Sequence, residues 1–254
     1  MRLLRVLPLA LLVAGCGGGS SSSDPSAVAR LRSAMGALTR LHSVHLTDTE
    51  VSPEGVEHVE ADWAGDGEAR LAVRRGSERA RLVETGGQGY ISANAAFWMA
   101  ESRLPARAAA YLDGRWVATG TGGTLARALG SVTPGRIARC MTTALGTVHA
   151  AGRATLGGAP VDVVVTDGDT PGSAPARIYV SATNRALPLR LEQTGPHRPG
   201  IANAVCTDPR DRTTHAELRL SRFDAPVRIT APRGALTPDQ LRAGLATAPI
   251  VPAA

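Results

Sequence analysis

The apolar positions of this 254-residue chain change their period several times, and each change predicts an element. Val28, Leu31, Met35, Leu38 and Leu41 recur at spacings of three and four on an otherwise Arg-, Ser- and Thr-rich surface. That spacing is one stripe of an α-helix, and Asp24-Pro25 ahead of it offers an N-cap and a first-turn proline. The period then falls to two. Segments 43–51, 56–65, 68–75 and 78–84 alternate and are separated by SPEG, Gly65-Asp66-Gly67 and Gly76-Ser77, all good turn chemistry. Val59, Ala61 and Trp63 share one face of their strand, as do Leu71 and Val73 of the next, while Glu60, Asp62, Arg70 and Arg74 point the other way. Such a meander has one dry face and one wet face.

The same reading continues to the end of the chain. QGYIS at 88–92 is a further strand, and NAAFWMAESRLPARAAAYL after it concentrates Phe97, Trp98 and Met99 in a helix-loop segment. After GRWVATG at 114–120, TLARALG and PGRIARCMTTALG read as two short helices, the second opened by Thr133-Pro134. Strands return in VHAAGRATL, APVDVVVTDG, ARIYVSAT, LPLRLEQT and RTTHAELRLSRF. In the last of these Thr214, Ala216, Leu218 and Leu220 alternate with His215, Glu217, Arg219 and Ser221. A sheet with one apolar face must cover it, so the helices are expected to lie on that face.

The N-terminal run has a different logic. Arg2 and Arg5 precede an almost wholly apolar stretch over 7–13, and Ala14-Gly15 supply small residues before Cys16. This is the layout of a secretory signal, about half the length a membrane-spanning helix needs. Val13-Ala14-Gly15-Cys16 resembles the bacterial lipobox, whose cysteine is acylated and becomes the mature N-terminus. Residues 1–15 are therefore expected to be a lipoprotein signal peptide, and 16–23 a lipidated Cys16 with a Gly/Ser tether reaching on the order of 15 Å. Several acyl chains hold far better than one, at about 0.8 kcal/mol per buried methylene. The expected location is the outer face of the cell membrane, lipid-anchored through a group such as palmitate.

Composition adjusts this picture only slightly. All 28 basic residues are arginine, most simply the codon preference of a GC-rich genome. The formal charge of +6 falls to +4 once Arg2 and Arg5 are removed, and the remaining arginines alternate with acids. Nucleic acid is not an indicated partner, although a mild attraction to anionic headgroups is compatible with the charge. Roughly 230 residues after the tether suit one domain. With Cys16 spent on lipid, Cys140 and Cys206 remain, and an even remainder in an exported chain suggests a disulfide; two separate buried thiols are the alternative.

The order of lipobox, Ser-rich tether, amphipathic helix, meander, GRWV, mid-chain helices, LPLRLEQ after a turn containing Asn184, and LRLSRFDAPVRITAP resembles the LppX/LprAFG group of bacterial lipoproteins, which have a LolA-like fold. The resemblance covers most of 24–232. It implies an α+β fold: a strongly curved, incompletely closed antiparallel β-sheet, a half-barrel, with helices covering the concave face. The domain is placed at 24–236, with a Pro- and Ala-rich tail at 237–254.

The resemblance further implies an apolar cavity that in some members holds acyl chains of a lipid or glycolipid in transit, which would make this an envelope lipoprotein for lipid binding and transport. The alternative is a surface adaptor or signalling lipoprotein with the same fold and no cargo. A dry tunnel for alkyl chains needs aliphatic lining and few aromatics, and this chain is 3% aromatic. Candidate lipid-binding residues are Val59, Trp63, Leu71, Val73, Phe97, Trp98, Leu189, Leu191, Leu218 and Leu220; for each strand residue, ordinary core packing is the competing reading.

Catalytic signatures are weak, and no enzyme is expected. Gly120-Thr121-Gly122-Gly123 follows a strand and precedes a helix, the context for phosphate cradling, but Leu125 stands where a third small residue belongs. HExxH and GxSxG do not occur. His42, His45, His58, His149, His197 and His215 are scattered without metal-ligand spacing, and Asp167 and Asp169 in TDGDTPG read as turn-builders. Neither a cofactor nor a metal is indicated.

Overall fold

The computed structural model describes residues 22–65, 67–119, 133–143, 146–183, 185–200 and 212–247. Cys16, Gly120 to Gly123, Asn184 and Cys206 lie outside the described residues.

Helix α1 (Pro25–Leu38) begins as its sequence predicts: Asp24 is extended and its carboxylate accepts the Ser26 N–H at 2.8 Å. Its stripe of Leu31, Met35 and Leu38, with Ala27 and Ala34, is buried. Eleven strands follow the alternating segments: β1 (Ser43–Ser52), β2 (Gly55–Ala64), β3 (Ala69–Arg75), β4 (Glu78–Thr85), β5 (Gln88–Ala93), β6 (Trp116–Thr119), β7 (Val148–Leu156), β8 (Ala159–Thr166), β9 (Ala176–Ser181), β10 (Pro188–Gln193) and β11 (His215–Ser221). Between them lie α2 (Ala95–Glu101) and α3 (Ala106–Leu112), then α4 (Pro134–Thr143); α5 (Pro238–Thr247) comes last.

All eleven strands form one antiparallel sheet in the order β6-β5-β4-β3-β2-β1-β11-β10-β9-β8-β7, which does not close into a barrel. The chain therefore walks outward from β1 to β6, restarts at the far edge with β7, and walks inward until β11 pairs with β1. That pairing joins the halves, and no local signal announces it. Two helix groups share the covered, concave face. Helix α1 packs on β7, β9, β10 and α4, while α2 packs on β4 and α3. Leu38, Val44, Leu46 and Ile178 at its centre are almost wholly excluded from solvent.

Three features depart from simple alternation. The segment read as a C-terminal tail contains α5, whose Leu241 packs against the core next to Leu236; Leu236 in turn forms a parallel bridge to Val117 of edge strand β6. Beyond 247 nothing is described. In β10 a bulge between Pro188 and Arg190 takes Leu189 out of register, and Pro188 rather than Leu189 pairs with inward-facing Val180. A second bulge, between Ala150 and Arg153 of β7, uses Gly152 at φ 89°, a conformation that favours glycine.

The convex face is also not uniformly wet. Asp62 is only 4% exposed and His45 8%. Their side chains meet at 2.9 Å between Nδ1 and Oδ1, and Arg70 donates to the other carboxylate oxygen at 2.6 Å. A charge at Asp62 survives burial because both oxygens are bonded.

Candidate functional site

The strand registers lay the inward side chains out in rows that cross the sheet. One row is wholly apolar: Val117, Ile91, Leu82, Leu71, Ala61, Leu46 and Leu220 follow one another across seven strands. The next runs Ala80, Val73, Val59, Asp48, Leu218, Leu191, Ile178, Val164 from β4 to β8. One carboxyl interrupts eight strands of aliphatic surface. The third row is polar at its β4 end, with Glu78, Arg75, Glu57 and Glu50, and continues through Ala216, Gln193, Ala176 and Thr166. The concave face is thus graded from dry floor to charged lip.

Helix α4 closes over part of the second row. Met141 and Cys140 face Asp48, Ala176, Leu191, Gln193, His197, Ala216 and Leu218 across a cleft of about 220 Å³. The turn at 172–174 forms its far wall. Gln193 is held in place by donating to the Gly195 and Thr213 carbonyls at 2.9 and 3.0 Å. A second cleft of about 590 Å³ lies between α1, the end of α4 and β7, but Arg32, Thr142, Thr143, Thr147 and Asp169 give it a polar rim. The first is the better place for an alkyl chain.

Electrostatics single out Asp48. Burial pushes its carboxyl above the usual carboxylate range, outweighing the hydrogen bonds of the Glu50 side chain and the Thr49 N–H, and Glu217 adds a smaller push in the same direction. Among the described residues its Oδ1 is buried without a hydrogen-bond partner. Glu57 at the lip is also raised, mainly by burial and against the pull of Arg75. Arg75 is shared among Glu57 at 3.7 Å, Glu78 at 2.8 Å and Glu101.

The residues marked as lipid-binding candidates fall in different places. Val59, Leu71, Val73, Leu191, Leu218 and Leu220 occupy the two inward rows; Leu71, Leu191 and Leu220 are buried, whereas Val59, Val73 and Leu218 are only partly covered. Leu191 and Leu218 line the cleft. Trp63 faces Val44 at the inward end of β2. Trp98 is buried, donates from its indole to the Ala93 carbonyl at 3.0 Å, and meets the Phe97 ring edge-on at 6.0 Å, which anchors α2 to the sheet. Leu189 stands in the bulge, away from the cleft lining.

Sequence reasoning missed Asp48, Glu50 and Glu57 as inward residues. The signal was present: Asp48 and Glu50 share the parity of Val44 and Leu46, and Glu57 that of Val59 and Ala61. Asp167 and Asp169, read as turn-builders, instead tie their segment to β7 and the residue before it: the Asp169 carboxylate accepts the Thr147 N–H at 2.7 Å, and Asp167 meets the His149 ring at 2.9 Å.

No protein-family model matches the chain, and no curated protein matches it in sequence. Solved structures do. The chain is similar to the Mycobacterium tuberculosis lipoprotein LppX at 13% identity and a TM-score of 0.52, over 82% of this chain and 100% of that one. It is similar to LprF from Mycobacterium bovis at 18% identity and the same TM-score, over 83% of this chain and 99% of that one. At such identities the likeness speaks to architecture, and it agrees with the open eleven-stranded sheet and its one helix-covered face: the chain has an LppX/LprF-type fold.

Proposed function

We propose that this is an envelope lipoprotein that binds the acyl chains of a lipid or glycolipid between its sheet and helices, in the service of lipid transport. The observation that carries the reading is the second inward row: aliphatic over seven of its eight strands, only partly covered at Val73, Val59 and Leu218, and opening into the cleft beneath Met141. Apolar surface of this extent is normally buried or occupied. The domain contributes binding, not catalysis, and is held at the outer face of the cell membrane by acylated Cys16. We further propose that Cys140 pairs with Cys206; Cys140 is not an unpartnered thiol, which supports the pairing.

An adaptor that keeps the fold without cargo is favoured by one observation. The cleft of about 220 Å³ is smaller than the ~300–1,000 Å³ of a drug-sized ligand site. Organic extraction of the full chain purified from its native host separates the two readings: a stoichiometric acyl lipid supports carriage, and an extract free of lipid supports the adaptor. Detergent-phase partitioning that survives Cys16→Ser would refute the anchor.

A further inference from the structure

Resting on the lipid-binding reading, we infer that Asp48 is a specificity-determining residue, selecting an uncharged lipid whose alkyl chain carries a hydroxyl near its middle.

The placement of the residue states the requirement. Along its row Asp48 has Val59, Val73 and Ala80 on one side and Leu218, Leu191, Ile178 and Val164 on the other. Ala80, Ile178 and Val164 are buried in the protein's own core, so with strands about 4.8 Å apart an alkyl chain on the open part of the row meets Val73 and Val59, then the carboxyl, then Leu218 and Leu191 at the cleft. A polar atom of the ligand that meets Asp48 therefore sits partway along the chain, not at its end. Leucine or valine would continue the row without interruption.

The chemistry of the contact follows from what surrounds it. The Asp48 Oδ1 is buried and has no hydrogen-bond partner within the described residues, so it is an acceptor with nothing donating to it. The groups nearby do not neutralise a charge there: Glu50, whose side chain hydrogen-bonds the Asp48 carboxyl, and Glu57 flank it on the same face, and Gln193 and His197 line the other side of the cleft, whereas Glu217 lies on the opposite face of β11, paired with Arg190 and Arg219. Arg75, the cation of the lip, is engaged by Glu57, Glu78 and Glu101. The unpartnered Oδ1 accepts a hydrogen bond from an alcohol, an uncharged donor that adds no negative charge to a site flanked by Glu50 and Glu57. An anionic headgroup or a fatty-acid carboxylate placed there would face three acidic residues across a low-dielectric space.

The test uses the full chain stripped of lipid and two uncharged probes that differ by one hydroxyl, methyl 12-hydroxystearate and methyl stearate. Wild type is expected to prefer the hydroxy ester about fivefold, the worth of one net hydrogen bond of ~1 kcal/mol. Asp48→Leu, which removes a buried carboxyl rather than creating one and therefore folds, should bind both esters equally and methyl stearate at least as well as wild type does. Asp48→Asn should keep part of the preference. Equal binding of the two esters by wild type, or a preference that persists in Asp48→Leu, overturns the assignment of Asp48 while leaving lipid binding intact. Failure of wild type to bind either ester removes both.

Discussion

Asp48 stands directly opposite Leu218 in the pairing of β1 with β11, the seam at which the two halves of the sheet meet. The carboxyl thus occupies the centre of an aliphatic row and faces the cleft beneath α4. Its consequences reach stability as well as binding.

A carboxyl whose folded pKa lies above its unfolded value favours the fold when protonated and opposes it when ionised. Stability is then lost as pH rises from the unfolded value near 3.9 toward the folded one. Asp48→Asn should accordingly raise stability by ~1 kcal/mol at pH 7, with the gain vanishing below about pH 4. Urea melts of both proteins at pH 3.5 and pH 7 measure it; a destabilised variant at pH 7 would show that the hydrogen bonds of Glu50 and the Thr49 N–H outweigh the cost of burial.

Asp62 has the opposite sign. Burial alone would raise its pKa, but hydrogen bonds from His45 and Arg70 hold it below the usual carboxylate range. Its contribution is present above the unfolded value near 3.9 and is lost as pH falls through the folded one. Asp62→Asn should cost ~2 kcal/mol at neutral pH, the scale of hydrogen bonds to a charged group. That cost should shrink in acid, and a pH-independent difference between variant and wild type would rule out the ionic account.

Thiol labelling of the denatured, unreduced domain should find neither Cys140 nor Cys206 free. Reduction should then lower stability by about 4 kcal/mol in the chain-entropy model for a loop of this length. Two labelled thiols per chain would refute the pairing.

Much of the sheet was legible because its strands are short, alternating and punctuated by turn residues. β7 coincides with the predicted VHAAGRATL, and β1 to β5 deviate by one residue or so at their ends. The pairing of β1 with β11 was not legible in the same way, since residues some 170 positions apart carry no common local signal. Composition concealed α5: 237–254 reads as a Pro- and Ala-rich tail, yet Thr237 and Gln240 cap a helix there, the Thr237 N–H donating to the Gln240 side chain at 3.0 Å. At the candidate site the aliphatic residues were found by alternation, while Asp48 and Glu57 were passed over. A polar residue on a strand is ordinarily outward-facing, and only the parity of its neighbours contradicts that here. Asp62 failed in the reverse sense, being outward and still buried, because its partners come from strands on either side.

If the inward face at β1 and β11 takes the acyl chains, the pair Leu218→Arg and Arg219→Leu separates it from the rest of the sheet. Leu218→Arg should fold, because the new guanidinium lies opposite the Asp48 carboxyl and gains the partner that a buried charge needs. It also fills the cleft. Arg219→Leu changes the opposite, exposed face of the same strand. Lipid bound per chain, measured by mass spectrometry on protein whose folding has been verified by a cooperative melt, is predicted to fall to near zero in Leu218→Arg and to match wild type in Arg219→Leu. A folded Leu218→Arg protein that still carries its full complement of lipid would mean that the lipid sits elsewhere.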